Sequence, residues 1–497
     1  MNSRDHSDGP ETADRGQSAM IGIVLLIGMV GVTSSVLFLT AGEVLTNTEA
    51  QTEAERVEPA FVELSQKMGS ARIDSDVTHS MDLDAGERGA VARAETGWIN
   101  VSSAELDGPI NETIGTVEWE GDDGSRIAYE SGAVFSGTGN ETRVVSVPPI
   151  YYDARTETLT LPVTTINGET MLDSGDISVS HERTTVYADA NVENAEVRIT
   201  ITSEYYRGWE RFFTREAGDT VVRDVDHENQ TVSIRLGYLD IEDAFDSGVT
   251  LSEPAEESGE VDYGNETVRH EQMPELDDVI ERMLEDMEND EYYDDVEEVG
   301  SITDNETFTN GTYLADEVVL DDNTDEVTFD LSDGNATLMV DGDVSLNHTG
   351  SALNVENATG TNNSLKIYST GNLSTNGDMG GSSATHMQVY GTSEMYVAMR
   401  DGSFTGTIYA PSNDWTGTNP IEGGCDDEQI CILSNVDFTG AIVTSTAHFQ
   451  GGLGGINFEY DDDLGEEPVT LYPDEYDLPP QLTYLNVAHH EIDVENT

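Results

Sequence analysis

Apolar and polar positions change their period several times along the chain. From residue 19 to residue 42 the sequence AMIGIVLLIGMVGVTSSVLFLTAG carries no charge, and a helix needs roughly 20 such residues to cross a bilayer core. A single transmembrane helix is therefore predicted over residues 17–42. A cleaved secretory signal would have a shorter apolar core and a small-residue cleavage site behind it, so this helix is expected to remain in the mature chain. Val57, Phe61, Leu64 and Met68 then recur at spacings of four, three and four, one stripe at helical period. That predicts a helical stalk over residues 43–71, broken or kinked at Pro59.

From residue 72 to 251 the period drops to two. Runs such as TETLTLPVTTI, AEVRITITSEYY and QTVSIRLGYL alternate between apolar and polar positions and are separated by turn residues, which predicts a β-rich, sandwich-like domain. GWERFFTREAG is the exception, expected as a short helix. Residues 252–317 turn acidic and read as a linker. Within it Met273, Leu276, Ile280, Met283, Leu284 and Met287 keep helical spacing, so one amphipathic helix is expected there. From 318 to 464, short strands such as ATLMV, SLKIY, GTIYA and GAIVT follow one another in steps of about 10–25 residues, the pattern of stacked rungs in a parallel β-helix. Residues 465–497 form a tail with one return strand. The fold class expected is mainly β: a transmembrane helix, a β-sandwich-like domain and a β-helix-like domain.

Charge sharpens this picture. The chain carries 99 acidic and 21 basic residues, a formal net charge of −78, and its only lysines are Lys67 and Lys366. Nucleic acid and anionic headgroups are thereby excluded as partners of its surface. At molar salt the Debye length is roughly 3 Å, so the carboxylates would be screened from one another. Abundant Asp and Glu with almost no lysine resembles the proteomes of salt-loving archaea.

The residues ahead of the apolar run, DRGQSAMIG, resemble the class III signal of archaeal type IV pilins and archaellins. The resemblance implies cleavage by a membrane-embedded prepilin peptidase on the cytoplasmic side, with residues 1–16 removed as a leader. Arg15 would lie at headgroup level, Gly16 would precede the cut and Gln17 would start the mature chain. In that family the same helix is first a membrane anchor and then a filament stem packed among other pilin-like subunits. Two features stand against bulk polymerisation: Ile21 occupies the place of the glutamate found in bacterial members, and the chain is long for a major subunit. SVPPIYYDARTETLTLPV and ITSEYYRGWERFF resemble segments of an uncharacterised haloarchaeal family with the same pilin-like start. GSFTGTIYAPSND, VDFTGAIVTSTAHFQGG and INFEYDDDL resemble the closing rungs of bactofilin-like and pilus-associated β-helix domains, with Tyr460 and Asp461 at the end of the stack.

Candidate chemistry is sparse. Cys425 and Cys431 have the wrong spacing for a zinc knuckle or a thioredoxin-like site, leaving a local disulfide outside the cytoplasm or two buried thiols. Asn-x-Ser/Thr acceptors occur at Asn100, Asn111, Asn140, Asn229, Asn265, Asn305, Asn310, Asn335, Asn347, Asn357, Asn362 and Asn372. All follow the apolar segment, as glycosylation outside the membrane requires; the alternative is a set of Asn-rich turns. Acidic clusters at 321–326, 341–347 and 461–463 do not match the EF-hand spacing, and neighbours His489 and His490 would face opposite sides of a strand. No metal, cofactor or catalytic residue is expected. The reading is a non-enzymatic, single-pass cell-membrane protein with its C-terminal bulk extracellular, a minor pilin or pilus-associated protein serving adhesion or envelope structure. The alternatives are an envelope anchor that does not polymerise, and a carbohydrate-active β-helix enzyme.

Overall fold

The computed structural model describes residues 48–497 except 74–75, 87, 123, 138–140, 169, 253–267, 290–295, 422–424, 426, 451–455, 466–468 and 475. The expected transmembrane segment, the motif Arg15, Gly16 and Gln17, and the sequons Asn140 and Asn265 lie outside the described residues. Among those described, no helix is long and apolar enough to cross a membrane. The chain is mainly β and divides into two compact units, Met1–Leu239 with Leu478–Thr497, and Asp240–Asp477.

The first unit begins with the helix Thr48–Ile73, whose stripe Val57, Phe61, Leu64 and Met68 is fully buried. The expected break at Pro59 does not occur. A proline inside a helix costs about 3 kcal/mol, but burying each large apolar side chain contributes about 1.5–3 kcal/mol, and Val57, Phe61 and Leu64 flank it. The stripe packs on two sheets. One has five strands in the order His79–Leu83, Gly175–Asn191, Tyr484–Asn496, Thr158–Ile166 and Tyr151–Asp153. The other is antiparallel throughout, with Thr231–Leu236, Val197–Thr202, Ala90–Ser102 and Ile110–Glu120 side by side. Alternation sends Ile99, Val101, Ile199, Ile201, Val232 and Ile234 into a core shared with Leu161, Val163 and Leu485 of the first sheet. The helix Tyr206–Ala217 adds Trp209, Phe212 and Phe213 to it.

Among the described residues of the second unit every strand pairing is parallel, and strands stack in three ladders. Ala336–Val340 pairs with Leu365–Ser369, which pairs with Met387–Gly391. Val344–Leu346 pairs with Leu373–Thr375 and that with Val397–Met399. Gly402–Ala410 matches Val436–Thr444 over its whole length. Strands commonly pair with the third one after them, so the steps between successive strands show no fixed period. Leu338, Ile367 and Val389 stack inward in register, and the rings of Phe404, Phe438 and Phe458 follow at 5.1 and 5.0 Å.

Several expected boundaries move. The strands Glu297–Ile302, Glu306–Phe308 and Gly311–Leu320 occupy the end of the expected linker and already pair within the stack. Their acidic residues Glu297, Glu298 and Glu306 are exposed while Ile302, Phe308 and Leu320 are buried, so acidity masked the alternation. The amphipathic helix is Asp277–Glu288. It is not part of a solvated linker: Ile280, Met283 and Met287 are buried, and Asp277 accepts hydrogen bonds from Ser393 N and Oγ at 3.0 and 2.9 Å. The expected tail divides as well. Residues up to Asp477 stay with the second unit, whereas Tyr484–Asn496 lies in the first unit's sheet, antiparallel to Gly175–Asn191 and parallel to Thr158–Ile166.

Candidate functional site

The asparagine acceptors separate by what their amides do. In the second unit, several occupy turns that stack from coil to coil. Asn347 Nδ2 donates to Asp321 Oδ1 at 2.7 Å, and Asn376 donates in turn to Asn347 O at 3.0 Å. Asn372 donates to Asp343 Oδ1 at 3.0 Å and accepts from Tyr396 N at 3.0 Å. Asn335 accepts from Ser364 N and donates to Asp474, both at 2.8 Å. Such bonds contribute about 0.5–1.5 kcal/mol each and fix one coil against the next. Asn305, Asn310 and Asn362 are exposed, Asn305 accepting from Glu326 N at 2.6 Å. Asn357 is exposed at φ 59° and bonds the Asp330 carboxylate. In the first unit Asn100 and Asn111 face each other on adjacent strands, Nδ2 to Oδ1 at 2.6 Å, and the exposed Asn229 donates to Asp226 at 2.6 Å.

Cys425 and Cys431 are joined by a disulfide with Cα atoms 6.1 Å apart. Both are buried against Ala398 and Ile421. Cys431 pairs with Ala398 in its ladder, so the bond ties the insertion before Ile430–Ile432 to the stack.

Sequence reasoning missed the buried ionisable groups, because none sits in a motif. Glu130 is fully buried on the strand Arg126–Glu130, where its carboxylate accepts from Trp209 Nε1 at 2.7 Å and from Ser203 Oγ at 2.7 and 2.8 Å. Burial pushes it up to about 7, against the pull of those donors. Glu118, also buried, accepts from the Tyr205 hydroxyl and from Arg93 at 3.0 Å. Burial, and then the Glu118 charge, raise the Tyr205 phenol.

His489 bridges Thr165 Oγ1 at 2.7 Å and Glu112 Oε2 at 3.1 Å, a hydroxyl–imidazole–carboxylate order. The Thr165 hydroxyl donates to Thr113 O. Its oxygen is left to accept from the imidazole, the opposite of an activated nucleophile. His490 turns the other way, to Thr184 Oγ1 at 2.8 Å. Burial, then the nearby Arg72 charge, hold it down to about 4.

Lys366 Nζ donates to Thr470 O, Thr470 Oγ1 and Tyr472 O at 2.5, 2.8 and 2.6 Å. Burial lowers it to about 8, with Asp474 pulling the other way. A cavity of about 110 Å³ lined by Asn335, Thr337, Lys366 and Asp474 lies beside it. The ammonium is occupied by main-chain carbonyls and works as a tie for residues 470–472. Tyr460 donates to Phe245 O at 3.0 Å, and Asp461 Oδ2 accepts from Ala384 N at 2.8 Å. Among the described residues no group of three or more His, Cys, Asp or Glu side chains is arranged to hold a metal ion.

Residues 15–243 match a family described as "Family of unknown function (DUF7289)", and residues 260–467 match a "Domain of unknown function (DUF7305)". The two matches meet close to the division at Leu239 and Asp240. No curated protein and no solved structure matches the chain.

Proposed function

We propose that this is a non-enzymatic, single-pass membrane protein of the type IV pilin-like kind, a minor pilin or pilus-associated protein, with its bulk outside the cytoplasm and a role in adhesion or envelope structure. The observation that carries the proposal is the order Arg15-Gly16-Gln17, then an uncharged apolar run, then the helix Thr48–Ile73 with its stripe embedded in the first unit. The stripe of that helix is buried in the first unit, as a stem joined to a folded head requires. The Cys425–Cys431 disulfide supports an oxidising compartment. The three parallel ladders support reading the second unit as a parallel β-helix, and the core shared by two sheets supports a sandwich-like first unit.

Prepilin peptidase and other pilin-like subunits would be its partners. Mass spectrometry of the mature N-terminus tests the processing: a chain starting at Gln17 is expected, and one starting at Met1 overturns it. Ile21 and the chain's length favour a second reading, an anchor that never polymerises. Surface assembly unchanged on loss of the prepilin peptidase would select that version.

A further inference from the structure

The Asn-x-Ser/Thr acceptors are alike as motifs, but the fold presents them differently. Glycan transfer needs two groups offered to solvent together: the asparagine amide nitrogen, which forms the new bond, and the Ser or Thr hydroxyl two residues on, which completes the acceptor. A bulky product also has to project clear of the surface.

Burial of the hydroxyl disqualifies one set. Thr312, Thr337 and Ser364, which complete the acceptors at Asn310, Asn335 and Asn362, are 3, 5 and 7% exposed. Thr312 and Thr337 are register partners in one ladder, so turning either outward would shift the register of its strand. Engagement of the amide disqualifies a second set. Asn229, Asn347, Asn357 and Asn372 each bond a carboxylate, those of Asp226, Asp321, Asp330 and Asp343. A hydrogen bond to a charged group contributes roughly 1.5–3 kcal/mol. Asn100 and Asn111 bond each other within paired strands, and their Ser102 and Thr113 are half-buried.

Asn305 escapes both conditions. Residues 303–307 are exposed without interruption, Thr307 included. Asn305 Oδ1 accepts from Glu326 N at 2.6 Å. A main-chain N–H can only donate, so the oxygen end of the amide is held against the next rung and Nδ2 is the end left over. Among the described residues neither that nitrogen nor the Thr307 hydroxyl has a partner. Asn305 directly precedes Glu306–Phe308, the first strand of a ladder that continues through Glu326–Asp330 and Ala352–Glu356. The acceptor therefore sits at the start of the stack.

We infer that Asn305 is the described acceptor that carries a glycan, and that burial or bonding keeps the other described acceptors bare. The inference rests on the proposed location of the chain's bulk outside the cytoplasm. The donor is an oligosaccharide carried on a lipid phosphate. Asn305 Nδ2 bonds to the anomeric carbon as the bond from that carbon to the phosphate oxygen breaks; the lipid phosphate leaves with the electron pair, and an Nδ2 proton passes to solvent.

The test expresses the full-length chain in its own source cells with an unstructured Asn-Gly-Thr reporter placed after Thr497, and maps glycopeptides by mass spectrometry. Asn305 and the reporter are expected to be modified, with occupancy at Asn305 at least ten times that at Asn310, Asn335 and Asn362. Thr307→Ala is expected to abolish the Asn305 glycopeptide and Thr307→Ser to retain it. A modified reporter beside a bare Asn305 overturns the inference and leaves the outside location standing. A bare reporter with bare acceptors throughout removes that location, and the inference with it. Comparable occupancy at Asn310, Asn335 and Asn362 also overturns the inference, since it would mean transfer to the chain before it folds.

Discussion

The outward faces of the two β units treat exposed side chains in opposite ways. On the first unit's antiparallel sheet, the outward Thr200, Thr202 and Asn100 stay open to water around Trp98. In the second unit Met339, Tyr368, Tyr390 and Tyr409 stand in register on one ladder, and all four are fully buried. Two segments cover that ladder. Tyr390 and Tyr368 donate to the carbonyls of Thr470 and Leu471, and Tyr409 donates to Pro274 O at 2.9 Å, just ahead of the helix Asp277–Glu288. Alternation can leave a polar face bare, whereas like-on-like stacking of rings builds an apolar wall that must be covered.

The strongest way to break this contrast is to remove the wall. Tyr390→Ala takes away a ring stacked 5.0 Å from Tyr368 and should cost about 3–5 kcal/mol. Chemical denaturation of the second unit would show it, with hydrogen exchange rising at residues 469–472.

Buried charge sharpens the comparison from the other side. Glu130 holds its proton more tightly folded than unfolded, since its folded value is raised to about 7. Its stabilising contribution is fully present below the unfolded carboxyl range near 4.5 and is lost as pH rises through about 7. Glu130→Gln keeps an acceptor for Trp209 and Ser203. It should match wild type near pH 4.5 and exceed it at pH 8 by up to about 3 kcal/mol, as read by melts across that range.

Lys366→Met keeps the aliphatic stem and removes the tie to Thr470 and Tyr472. A loss of about 1–3 kcal/mol is expected, with proteolysis moving to residues 466–477. Asn372→Ala removes one link between coils and should cost about 1 kcal/mol in the same denaturation assay. Thr202→Ala on the open face should stay within about 0.5 kcal/mol; a larger loss would mean that the bare rows hold the sheet together.

What the sequence disclosed follows from how local each signal is. The stripe Val57, Phe61, Leu64 and Met68 lies within four helical turns, and its period was visible; its persistence through Pro59 depends on sheets formed far along the chain. The strands from residue 318 onward carried apolar cores between Gly and Asn turns, so stacking was visible but not the coil length. The rungs before it were hidden because Glu297, Glu298 and Glu306 carry the composition of a linker. Of the candidate site residues, asparagines could be enumerated, but that Asn305, Asn335, Asn347 and Asn372 bond to residues of a neighbouring rung depends on segments about twenty to thirty residues away. Glu130 and Lys366 carry no motif, and their roles arise from partners many residues away.

The placement of Tyr484–Asn496 in the middle of the five-stranded sheet bears on how the chain can be made. Its neighbours Thr158–Ile166 and Gly175–Asn191 leave the ribosome roughly three hundred residues before it. Until it arrives, the facing edges of those two strands have no pairing partner. The second unit has all its pairing partners earlier and is free to wind up first. A chain that lacks Tyr484–Asn496 would carry all the strands of the second unit beside a first unit whose five-stranded sheet has lost its middle strand. Such a chain presents unpaired strands to proteases, so one late segment guards the integrity of strands made far ahead of it.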